Sequence, residues 1–186
     1  TALVMAGRHP GMWAGVSAWV PISDLAAWYC ECKKAGRIEF CKNMVGSCGG
    51  APGDGFAVDE EYRKRSPLSF LANAQDVKLR IDAGIMDGHQ GSVPISHSLR
   101  AFNAIADPKD RLSEEEISFF VTKAKVPSHL KTFISDPSYG GKPVLFRRTS
   151  RNVTVTIFRG GHELVTDAAM AWFEKMKTAQ DGLYAA

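Results

Sequence analysis

Short apolar runs closed by Gly or Pro alternate along the chain with segments of helical periodicity. Residues Thr1 to His9 read as a helix carrying Leu3, Val4 and Met5, and His9-Pro10-Gly11 is a strong stop. No N-cap or turn opens this helix, which predicts that an element of structure precedes Thr1. Trp13 to Val20 is mostly apolar and closed by Pro21, the pattern of a strand buried on both faces. Ser23-Asp24 then caps a helix through about Lys34. Residues 36 to 56, broken by Gly46, Gly49, Gly50, Pro52, Gly53 and Gly55, read as a short helix followed by an irregular loop. A charged helix over Val58 to Lys64 stops at Ser66-Pro67.

Polar and apolar positions alternate from Val77 to Gly84, predicting a second strand, followed by a loop from Ile85 to Pro94 and a helix from Ile95 to Ala106. Strand, loop and helix in that order form the unit of a parallel sheet. A capping box, Ser113-x-x-Glu116, opens a helix to about Lys125. Pro143 to Thr149 and Asn152 to Phe158 read as two strands joined by a tight turn, and Glu163 to Met176 as an amphipathic closing helix. The pattern predicts one α/β domain over residues 1–186, with a helical insertion at about 107–142. Three or four strands are few for a parallel sheet covered on both faces.

At 45% hydrophobic, 23% charged and 10% aromatic content, the 186 residues exclude disorder, collagen and coiled coil. The net charge of +3 comes from scattered basic residues, so neither nucleic acid nor an anionic membrane is an expected partner. No apolar run approaches the roughly 20 residues needed to span a bilayer. Cys30, Cys32, Cys41 and Cys48 lie close together but do not form paired Cys-x-x-Cys knuckles, so no metal is expected. Their density predicts at least one disulfide, hence a secreted or periplasmic setting, with reduced thiols as the alternative.

Two loops follow predicted strands at the end where open α/β sheets place their ligands. One is Gly84-Ile-Met-Asp87-Gly-His-Gln-Gly-Ser-Val93-Pro94, and the other is Phe158-Arg-Gly-Gly-His162-Glu163. Asp87 is either a turn residue bonded to its own backbone or a catalytic acid. His162 is either a helix-capping histidine or a general base exposed by the glycines before it. His89, His97 and His129 read as loop or helix-surface residues.

Gly49-Gly50-Ala-Pro52, Glu61-Tyr62-Arg-Lys-Arg-Ser66-Pro67, Gly84-x-x-Asp87 with Val93-Pro94, and Gly161-His162-Glu163 occur in that order. Taken together, over essentially the whole chain, they resemble the C-terminal half of a prolyl oligopeptidase-type α/β-hydrolase. The resemblance implies part of an α/β-hydrolase fold, a parallel sheet with flanking helices that lacks upstream strands. It implies a serine hydrolase with chain order Ser, Asp, His, in which Asp87 and His162 are the acid and the base. The serine, its strand and the oxyanion-hole loop would lie before Thr1, and the 186 residues alone would be inactive. Five residues, Gly88 to Ser92, separate Asp87 from Val93, more than is usual in the family, and Asp82 stands as a rival carboxylate.

Within the chain, Gly15-Val-Ser17-Ala-Trp19 departs from a Gly-x-Ser-x-Gly elbow at its last position and reads as mid-strand. Ser47 lacks a preceding strand, and Thr1 opening a helix would not present its amine as a nucleophile. The activity the resemblance implies is acyl transfer from a peptide or ester substrate, without a cofactor. The expected partner is the missing N-terminal half, or a second copy covering the sheet edge. A non-catalytic hydrolase-like binding or assembly module is the alternative reading.

Overall fold

Strand alternation sorts the sheet into an apolar and a polar face. In the computed structural model, which describes residues 1–184 and the side chains of residues 1–177, the strands are β1 (Gly15–Trp19), β2 (Lys78–Gly84), β3 (Val144–Ser150) and β4 (Val153–Phe158). Their order is β1-β2-β4-β3, with β1, β2 and β4 parallel and β3 antiparallel to β4. The helices are α1 (Ala2–Arg8), α2 (Leu25–Lys34), α3 (Ile38–Cys48), α4 (Phe56–Arg65), α5 (Ser96–Ile105), α6 (Glu114–Lys123) and α7 (Thr166–Tyr184). The chain is thus mixed α/β with a mostly parallel four-stranded sheet and flanking helices.

Register aligns the apolar side chains into rows. Val16 pairs with Leu79 and Leu79 with Val153, while Ala18 pairs with Ile81 and Ile81 with Val155. Against this face pack Leu3 and Ala6 of α1, Leu99 and Phe102 of α5, and Ile117 and Phe120 of α6, all buried in one core. Burying a side chain of this size stabilises by about 1.5–3 kcal/mol, so these rows fix which face turns inward.

The opposite face carries Trp19, Arg80, Asp82, Thr156 and Phe158, and α7 packs over it near β1. A Cβ on Gly15 would collide with Met176 and Trp172. Between β1 and β2, helices α2, α3 and α4 form a second core around Trp28, Cys32, Cys41, Met44, Cys48 and Tyr62, which Val93 from the loop after β2 joins.

Three expectations are corrected. The closing helix begins at Thr166 and not at Glu163, because Glu163 folds back to accept from the Gly161 amide at 3.1 Å and from Lys142 at 2.7 Å. All four cysteines are free thiols, and three of them pack as small apolar side chains between α2, α3 and α4. The inference of an oxidising compartment rested on a disulfide and falls with it. His97 is buried, not on a helix surface: its Nδ1 accepts from the Ser23 amide at 3.2 Å, so its Nε2–H donates to Glu31 Oε2 at 2.9 Å.

Candidate active site

The loops after β2 and β4 meet through their backbones. The amides of Ile85 and Met86 donate to the carbonyls of Phe158 and Gly160, each at 2.9 Å. A Cβ on Gly84 would collide with Gly160 and Gly161, so this approach requires glycine. Beyond Gly84 the chain turns sharply: Asp87 N–H bonds Gly84 O at 3.1 Å, and Gly88 takes a left-handed φ of 86°.

This turn buries Asp87 to 2% exposure and directs its carboxylate at the other loop. Oδ1 and Oδ2 lie 3.0 and 3.2 Å from His162 Nδ1. Oδ1 also accepts from Gly88 N–H at 3.0 Å, and the Val93 amide donates to the same carboxylate. Burial pushes the Asp87 carboxyl above its ordinary value, while His162 and the two amides act against that shift. A carboxylate facing Nδ1 places the ring proton there and leaves the lone pair on Nε2. The His162 side chain is 39% exposed, and its Nε2 has no hydrogen-bond partner among the described residues.

Residues 88–92, which follow Asp87, are braced from the α2–α3 connection. Arg37 Nη1 donates to Ser92 O at 2.8 Å, and Nη2 donates to Gly91 O at 2.8 Å and Gly88 O at 3.3 Å. Trp28 Nε1 also donates to Ser92 O, at 2.9 Å. A Cβ on Gly91 would collide with Asp87 Oδ1 and with the Cβ of His162. On the far side, His89 Nε2 meets the Val121 carbonyl of α6 at 2.7 Å. Sequence reasoning missed Arg37, Trp28 and Gly91 as supports. The glycine-rich loop signalled exposed carbonyls but not the donor that would bind them.

The rival groups lie elsewhere. Asp82, completely buried on the polar face, takes a two-pronged bond from Arg80 at 2.6 and 3.1 Å and a hydrogen bond from the Tyr139 hydroxyl. Arg80 is also bonded to Ala168 O at 2.7 Å and to Tyr139 at 2.6 Å, closing a structural network with no ring nitrogen in it. Ser17 sits within β1 and accepts from Trp19 Nε1 at 2.9 Å, and Ser47 lies on α3 bonded to Asn43 O at 2.8 Å. Thr1 precedes α1. Ser23, His97 and Glu31 resemble a triad by residue type, but Ser23 is fully buried, out of reach of any substrate.

No family model, curated protein or solved structure matches this chain. Among the described residues, no group of three or more His, Cys, Asp or Glu side chains could hold a metal ion. None of the described helices is long and apolar enough to cross a membrane. What the site offers chemically is a half-exposed imidazole, oriented by a buried carboxylate, at the C-terminal end of parallel strands. Such a pair can take a proton from a hydroxyl group and return it to a leaving group.

Proposed function

We propose that this chain supplies the acid and base of a serine hydrolase of the prolyl oligopeptidase type, within an α/β-hydrolase fold. The observation that carries the reading is the 3.0 Å contact of Asp87 with His162 Nδ1, with Nε2 unbonded. A serine outside residues 1–186 attacks the carbonyl carbon of an ester or peptide, and His162 Nε2 takes its proton. His162 then protonates the leaving group as the acyl-enzyme forms, and afterwards deprotonates the water that releases the acyl group. Asp87 holds the tautomer and stabilises the imidazolium throughout. β1 pairs only with β2 among the described residues, so its outer edge is available to a strand leading to that serine.

The test compares His162→Ala and Asp87→Asn with the parent, each in the complete polypeptide, on chromogenic ester and peptide substrates. A drop of about 10³-fold or more in kcat for both, with KM little changed, is the expected result. Unchanged kcat in either variant rejects the assignment, and absence of hydrolysis by the parent favours a binding module.

A further inference from the structure

A cleft opens at the end of the sheet that carries the dyad. Ile85 precedes Asp87 by two positions and Arg159 precedes His162 by three. They line a cleft of about 440 Å³ together with Val144 and Leu145 of β3 and Lys125 and Lys131 of the segment after α6. That volume falls within the roughly 300–1,000 Å³ of small-molecule sites. The lining combines two kinds of surface. Ile85, Val144 and Leu145 make an aliphatic wall, while Lys125, Lys131 and Arg159 carry three positive charges and no carboxylate lines the cleft.

These cations differ from others nearby. Lys142, beside the His162 loop, is paired with Glu163, and Arg147 on β3 is paired with Asp136. Lys125, Lys131 and Arg159 make no ion pair among the described residues. Like charges converging on one cleft repel one another, and a bound anion relieves that repulsion. A guanidinium fork is suited to a carboxylate, and the aliphatic wall to the chain that carries it.

We propose that this cleft binds an apolar segment ending in a carboxylate, and that it selects substrates carrying such a group next to the bond to be broken. The second clause rests on the hydrolase reading; the binding itself does not. Lys131 and Arg159 hold the anion, and Ile85, Val144 and Leu145 hold the chain.

The test is calorimetric titration of the complete polypeptide that contains these residues with octanoate and with 1-octanol at low and high NaCl, paired with amide chemical-shift mapping. Octanoate is expected to bind at least about tenfold more tightly than octanol, to weaken with salt, and to shift Ile85, Lys131 and Arg159. Lys131→Ala and Arg159→Ala change exposed side chains and should each weaken octanoate several-fold, while Lys34→Ala on α2 should not. Equal binding of the two ligands, no binding, shifts centred elsewhere, or unchanged affinity in both cleft variants overturns the proposal. His162→Ala should bind octanoate as the parent does. Failure here therefore leaves the dyad untouched, and octanoate binding in a complete polypeptide without hydrolase activity rejects the hydrolase reading alone.

Discussion

Removing the Arg37 side chain should loosen the Asp87 loop without unfolding the protein. The guanidinium makes two good bonds to loop carbonyls, at 2.8 Å each, and a longer one at 3.3 Å. Bonds from a charged donor contribute about 1.5–3 kcal/mol each. The acceptors are half-buried, so water replaces part of what is lost, and Trp28 keeps its bond to Ser92 O. Arg37→Ala should then cost about 2 kcal/mol locally, a roughly thirtyfold rise in loop opening. Hydrogen exchange reads this directly at the Gly88 and Val93 amides, which both donate to the Asp87 carboxylate. Their exchange should accelerate about ten- to thirtyfold while Ile81 and Val155 in the sheet stay protected, and Arg37→Lys should restore only part because it lacks the fork. Unchanged exchange at Gly88 and Val93, or acceleration spread evenly over the sheet, would refute the bracing role.

Gly91→Ala should force Asp87 and His162 apart, at a cost of about 1–3 kcal/mol, read as a lower urea midpoint and a broken Nδ1 contact in a structure of the variant. Asp87→Asn should show a pH-dependent gain in stability. Burial raises the folded-state pKa above the ordinary 3.8, so the stability this carboxyl contributes is full below that value and is lost as pH rises through the raised one. Urea titrations should therefore find the variant more stable than the parent at neutral pH, with the difference shrinking towards zero below pH 3.8. A thiol reagent applied to the native protein should react fast with Cys30 alone and with all four cysteines after denaturation. Burial shields Cys32, Cys41 and Cys48, and it pushes the Cys32 and Cys48 thiols up as well.

The strands were legible because apolar runs bounded by turn residues have few alternatives, and the parallel order followed from helices between them. Glycine-rich loops directly after strands marked Asp87 and His162 as candidates, each with a structural alternative, and their pairing as acid and base came from the family resemblance. The supporting contacts were illegible because their partners are distant in sequence. Arg37 reaches residues 88 to 92, and His97 reaches back to Ser23 and Glu31. Periodicity reports which face a residue takes and not what it meets there. Alternation from Val77 to Gly84 predicts a strand without saying what its polar residues meet: Arg80 and Asp82 are buried beneath Tyr139 and α7, bonded to one another. The cysteines misled because density in sequence indicates proximity, while packing as apolar side chains needs no bond between sulfurs.

The most direct test of the central claim is fluorophosphonate labelling of the complete polypeptide that contains these residues, with the labelled site mapped by mass spectrometry, alongside the His162→Ala variant. The account predicts label on one serine outside residues 1–186, lost when His162 is replaced. Label on Ser17, Ser47 or another serine within the chain, or labelling indifferent to His162, would contradict it.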